Sequence, residues 1–261
     1  MDGEIPYLAE SCIALFFSAC LMFFFYSRFI VRADTLGRPA AHDRLALGCI
    51  LISAFFVRAL LSILIYGHPT DISCFMAWSN ALANDGLKSF YTSGMFADYP
   101  PGYMYVLWLT GSIAKALRLT YGSAGYVLLT KMPAILADLG AAYLLYRLAA
   151  KPRASLEKAA GNGVLPLVLA AVVAFNPLFA FISGGWGQID QVLTLLLLAV
   201  IFLFLNKKVI LAGLVYGIAI LVKPQALMAG PLLAVAYFAY GKDAGWKGLL
   251  RTLAAVASAV A

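Results

Sequence analysis

TDISCFMAWSNALANDGLKSFYTSGMFADYPPGY, residues 70–103, is a polar and aromatic interruption between long apolar segments. It carries Asp71, Asp85, Lys88 and Asp98 beside Trp78, Phe90, Tyr91, Tyr99 and Tyr103. Its first half reads as a helix lying along a membrane surface. Thr70 or Asp71 serves as N-cap, Pro69 precedes them, and Gly86 sits where a helix C-terminus expects it. Ile72, Phe75, Met76, Leu82 and Ala83 recur at helical spacing, while Asn80, Asn84 and Asp85 stay polar. The second half, Asp98-Tyr99-Pro100-Pro101, is a stiffened turn, because each proline fixes its own φ and disfavours helix in the residue before it. An acidic, aromatic ledge at the mouth of a helical membrane bundle is the candidate site this stretch supplies.

Composition explains why the surroundings read as membrane. Of 261 residues 63% are hydrophobic and 12% charged, roughly half the charged share of a soluble domain. The apolar runs are continuous rather than alternating, which excludes strands and predicts an all-α polytopic fold. The net charge of +7 is no nucleic-acid footprint, since the basic residues gather in short loops where the positive-inside bias accounts for them. Cys12, Cys20 and Cys49 lie in apolar runs and Cys74 on the surface helix, with no CxxC spacing; His42 and His68 form no metal motif. No acid pair has metal-binding spacing, so neither a metal nor another cofactor is expected.

Taken in order, Leu8 to Val31 is too long for a signal-peptide core and is expected to be a retained first span. The loop Arg28–Arg44 holds four arginines against two aspartates, which places it inside and the N-terminus outside. Leu45–Tyr66 returns the chain outward, with Arg58 in its outer half either snorkelling or pointing into the bundle. The acidic ledge is then external, or lumenal in a eukaryote. Met104–Leu119 is expected not to span: only then do the Arg147–Lys158 loop and Lys207-Lys208 fall inside. The cost is that Lys115 and Arg118 stay at the outer interface. Tyr126–Leu148, Val164–Ile182 and Gln191–Leu205 follow as spans. Val209–Val222 and Ala226–Tyr240 are short arms broken at Lys223-Pro224-Gln225. About eight membrane helices result, in one domain over residues 1–261, expected to be the N-terminal portion of a longer protein.

Several polar residues are chemical candidates, each with a structural alternative. Asp71 suits removal of a proton from an attacking hydroxyl, or is simply a first-turn acid favoured by the helix dipole. Asp98 is either a site residue or turn chemistry. Trp186, Gln188 and Asp190, in SGGWGQID, either offer an aromatic plane beside amide and carboxylate, as a sugar-binding surface does, or form an ordinary tight turn that Gly184, Gly185 and Gly187 allow, with a tryptophan at the membrane interface. Lys131 and Asp138 lie two turns apart in one span, where ionisable groups face the bundle interior as functional or ion-pair residues. Lys223, at a helix break, either binds a phosphate or snorkels.

The order of these motifs resembles a known superfamily. Asp71-x-x-x-Phe75-x-x-Trp78 is followed by Asp98-Tyr99-Pro100-Pro101, then Lys131-x-Pro133 with Ala137-Asp138-Leu139. Phe175-Asn176-Pro177, Trp186-Gly187-Gln188-Ile189-Asp190 and Lys223-Pro224-Gln225-Ala226 complete it. Over residues 45–240 this is similar to the GT-C membrane glycosyltransferases, and most similar to prokaryotic relatives of the second mannosyltransferase of GPI-anchor assembly. The resemblance implies an inverting hexosyltransferase of glycan biosynthesis that moves a sugar, mannose in the nearest relatives, from a polyprenyl-phosphate donor to an acceptor hydroxyl on a glycan, lipid or protein. Asp71 would be the base and Asp98 and Tyr99 would shape the sugar or acceptor pocket. Trp186, Gln188 and Asp190 would line its other wall, with Lys223 and Gln225 near the lipid phosphate. Lys131 and Asp138 join the expected substrate-binding residues. The expected location is the plasma membrane of a prokaryote, or the ER membrane in a eukaryote. A transporter or lipid flippase is the alternative, since broken helices and intramembrane charges also mark substrate pathways.

Overall fold

The computed structural model describes residues 40–150, 165–238 and 245–260. The expected first span at 8–31, most of the Arg28–Arg44 loop and the loop at 151–158 lie outside the described residues. Everything described is helix, turn or coil, with no strand among the described residues. In chain order the main elements are α1 (Ala40–Leu64), α2 (Pro69–Asp85), α3 (Pro101–Ala116), α4 (Ala124–Ala149) and α5 (Leu165–Ala174). They are followed by α6 (Asp190–Leu205), α7 (Val209–Val222) and α8 (Gly245–Val260). Short pieces fill the joints: Leu87–Phe90, Pro177–Ala180, a π-helix at Phe181–Trp186, a 3-10 helix at Pro224–Ala229, and Gly230–Ala236.

This is a helical protein of membrane type, but the expected count of about eight spans is corrected. Among the described residues two helices are long and apolar enough to cross a membrane, Asp43–Leu64 and Ala124–Ala149. A third span results if Leu165–Ala174 and Pro177–Trp186, bent by 43° at their junction, count as one. Length is the physical reason. The hydrocarbon core is roughly 30 Å thick and needs about 20 residues at 1.5 Å each, whereas α6 has 16 residues and α7 has 14. Turns at Asn206–Lys208 and Lys223-Pro224 stop them early. The segment expected not to span, now α3, has 16 residues and is absent from the candidate spans.

Local chemistry sets each boundary. α1 ends before Gly67, whose φ of 111° suits glycine, and Pro69 opens α2. Gly86 follows α2 with φ 81°. Pro100 caps α3 and Pro101 is its first residue, so the stiff turn expected from the two prolines becomes a helix start. At the bend, Asn176 Oδ1 accepts from the amides of Leu178 (2.9 Å) and Phe179 (3.2 Å), restarting the helix around Pro177.

The chain forms two compact units. The first contains the described residues through Ile72 together with Lys131–Gln191; the second contains Ser73–Thr130 and the residues from Val192 onward. The first packs α1 on α5 through a small-residue core, Ala46, Leu47, Ile50, Ala54, Ala142, Leu167, Ala170, Ala171, Ala174 and Phe175. In the second, α7 lies tightly on α8. A Cβ added to Gly213 would stand 2.5 Å from the Thr252 carbonyl oxygen, and one on Gly217 2.8 Å from that of Val256.

Candidate functional site

In the first unit the sequence-predicted acid meets its predicted neighbours. Asp71 stands in the first turn of α2, where its charge is favoured by the helix dipole. Its Oδ2 accepts from Trp186 Nε1 at 2.8 Å and from Gln188 Nε2 at 2.7 Å. His68 Nδ1 lies 3.4 Å from the same oxygen. The His68 ring stacks on Trp186 with centroids 5.1 Å apart and planes 9° from parallel, and its backbone amide donates to the Trp186 carbonyl at 3.1 Å. Gln188 Oε1 is buried beside this group with no hydrogen-bond partner. The ledge therefore presents the Asp71 carboxylate beside the partly exposed Trp186, an arrangement that suits a ligand carrying O–H or N–H donors.

The turn bearing Trp186 and Gln188 is held from below by Lys131. Its Nζ donates to the carbonyls of Ile65 (2.8 Å), Gly184 (3.0 Å) and Gly185 (2.7 Å), which uses all three ammonium hydrogens. Gly187, at φ 90°, completes the turn; a Cβ there would stand 2.4 Å from Ile72 Cδ1. Deeper lies an ion pair. Arg58 Nε donates to Asp138 Oδ2 at 2.9 Å, and Ser183 Oγ reaches that oxygen at 2.6 Å. Arg58 Nη1 donates to the carbonyls of Ala54 and Ala174. Arg58, Lys131 and Asp138 are all essentially fully buried. Arg58 thus points inward, and the Lys131 ammonium and Asp138 Oδ2 bond to the protein itself. Asp138 Oδ1 and Arg58 Nη2 keep no partner.

The remaining predicted residues fall into two places. Asp190 opens α6 as its first residue and is exposed. In the second unit Tyr99 is the centre of an aromatic box, with ring centroids 5.6 Å from Phe75, 5.7 Å from Trp78 and 6.1 Å from Tyr103. Lys223 Nζ lies 5.9 Å from the Tyr99 centroid, within cation–π range. Lys223 itself is extended backbone between α7 and the 3-10 helix, while Asp98 and Gln225 are exposed. Burial, with Tyr99 beside it, pushes the pKa of Tyr103 up and keeps its hydroxyl neutral. Among the described residues no three histidine, cysteine, aspartate or glutamate side chains gather as a metal site.

Sequence reasoning missed His68, because histidine was weighed only as half of a metal motif. Its spacing three residues before Asp71 at a helix start was the available signal.

A family model described as GPI transamidase subunit PIG-U matches residues 76–261, well over half of the chain. The chain belongs to the PIG-U family. No curated protein and no solved structure matches it. PIG-U membership overturns the GT-C mannosyltransferase resemblance, and with it the inverting hexosyltransferase activity and the polyprenyl-phosphate sugar donor. The transporter or flippase alternative has no support either, nor has a prokaryotic plasma membrane. The geometry shows why the motif order misled. Acid, cation and aromatic residues adjacent in a motif list suggest chemistry. Here, however, Lys131 and Asp138 are engaged inside the protein, and Asp71 Oδ2 already carries two donors.

Proposed function

We propose that this chain is a membrane subunit of a GPI transamidase assembly, resident in the ER membrane. The match to the PIG-U family over residues 76–261 is the observation that carries this reading. A transamidase exchanges one amide for another, which calls for a nucleophile and a base within hydrogen-bond reach of each other. His68, the histidine nearest the ledge, is turned to Asp71 and Trp186. In this reading the bond exchange belongs to a partner subunit, in keeping with the family's description as a subunit, and this chain supplies a lipid-embedded support. Its ledge of Asp71 and Trp186 receives a donor-bearing polar group of a substrate or neighbouring subunit.

Affinity purification of the tagged full chain from its own cells in mild detergent tests this. Other GPI transamidase subunits should co-purify in fixed ratio. Recovery of the chain alone, or with sugar-transfer enzymes only, would overturn the proposal.

A further inference from the structure

The positive-inside rule leaves two residues unexplained: Lys115 and Arg118, at the end of α3, fall on the expected outer interface. The second unit shows them lining a cavity of about 280 Å³ together with Asn80, Ala83, Asn84, Gly111, Leu119, Tyr121 and Tyr126. We propose that this cavity binds a phosphate-bearing group, supplied by the headgroup of an anionic membrane lipid.

The cavity exists because α2 and α3 touch backbone to backbone at its floor. A Cβ on Gly111 would stand 2.0 Å from the Ser79 carbonyl oxygen, so only glycine permits the contact. Ser79 Oγ and Tyr126 OH, 2.9 Å apart, pin the start of α4 against the same floor. The wall is polar and ordered. Asn84 Nδ2 donates to Asn80 Oδ1 at 3.2 Å, and Lys115 Nζ donates to Asn84 Oδ1 at 2.9 Å. That fixes the ammonium and leaves two of its hydrogens for a ligand.

Arg118 is held at φ 53°, left-handed backbone that glycine normally takes at a helix end. The Leu119 amide closes that end on the Ala114 carbonyl at 2.9 Å. No carboxylate lines the cavity, and neither cation forms an ion pair among the described residues. A helix C-terminus favours cations and carries about half a negative charge. This accounts for one basic residue here, but two full positive charges exceed it.

Size and setting select the ligand class. The volume falls just below the roughly 300 Å³ at which clefts for whole small molecules begin, so it suits a headgroup rather than a large glycan. A guanidinium fork beside an ammonium is the pairing that recognises phosphate oxygens. On the same helix Tyr105, Trp108, Leu109 and Ile113 are exposed, as is Leu117, which caps it. α3 therefore carries apolar surface outward while its other face is buried, as a helix bathed in lipid does. A lipid chain along that stripe brings its phosphate to the helix end.

The test uses the full chain in nanodiscs of phosphatidylcholine doped with spin-labelled phosphatidylinositol, with inorganic phosphate titrated in a separate arm. Arg118→Gly is the decisive variant, because glycine accepts the backbone and only the charge is lost; Lys115→Gln is the second. Wild type should hold the anionic lipid in a saturable site, and each variant should weaken it by about tenfold, the loss expected for one charge-assisted contact. Millimolar phosphate should displace little of it. If phosphate alone binds saturably and the variants abolish that, the phosphate chemistry stands but the lipid source is wrong. Equal retention of phosphatidylinositol by wild type and both variants, or no preference over phosphatidylcholine, would overturn the proposal.

Discussion

Arg58, Lys131 and Asp138 find their hydrogen-bond partners within the first unit, whereas Lys115 and Arg118 line a cavity of the second that no carboxylate shares. The first set is almost fully buried and the second exposed. From sequence Lys131 and Asp138 were functional candidates, whereas Lys115 and Arg118 were only charges left at the outer interface by the topology. The difference lies in where the counter-charge resides. A buried ion pair formed internally holds the fold, while an ordered cation without an internal ion-pair partner is available to a ligand.

The largest expected effect comes from breaking the internal pair. Asp138→Ala strands a buried guanidinium and should cost about 3–5 kcal/mol, seen as a collapse in the yield of monodisperse protein and in Tm. Arg58→Met with Asp138→Leu should recover much of that loss, since an apolar pair of similar volume is often neutral. If Asp138→Ala alone is harmless, the pair is no lock and the contrast fails.

Lys131→Met comes next, taking the ammonium from the carbonyls of Ile65 and Gly185 at about 1–3 kcal/mol for each buried unsatisfied group, while the Gly184 carbonyl keeps Ser62 Oγ. Limited proteolysis should then open the chain at Gly184–Gly187 before anywhere else. Uniform cleavage would show that Lys131 does not hold the Trp186 turn.

Gly111→Val sharpens the comparison from the other side. Its Cβ meets the Ser79 carbonyl oxygen, and overpacking of this kind costs about 1–3 kcal/mol. The variant should lower Tm and also abolish retention of the anionic lipid, because the cavity floor moves. Smallest of all, Arg118→Gly should leave thermal stability within about 1 kcal/mol of wild type, the scale of the left-handed penalty it relieves. A large destabilisation would mean that Arg118 serves the fold after all.

How far the sequence carried depends on how local each feature is. α2 was legible because proline and a first-turn acid lie at the start of its 17 residues and a glycine stop directly follows them. The break at Lys223-Pro224 was equally local. Span number was not: the stop at Leu205 was legible, but the 16-residue helix before it is too short for the span expected there, and Asn176-Pro177 cuts the run expected to be continuous from Val164 to Ile182. Asp71, Trp186 and Gln188 were each singled out, yet Asp71 and Trp186 stand 115 positions apart. Their shared oxygen depends on a π-helix that nothing in SGGWGQID specifies by periodicity. Arg58 had two readings, and only Asp138, 80 positions away, decides between them. Function was least legible, because the motif order recorded residue types and not which of them were already satisfied.

The most direct test of the transamidase account is to deplete the chain from its own cells and follow a reporter protein destined for a GPI anchor. A failed amide exchange should leave the reporter uncleaved at its C-terminal signal, while the complete anchor lipid accumulates. Re-expression of the wild-type chain should restore cleavage. If the reporter is processed normally, or an anchor precursor lacking a sugar accumulates instead, the chain is not a transamidase subunit.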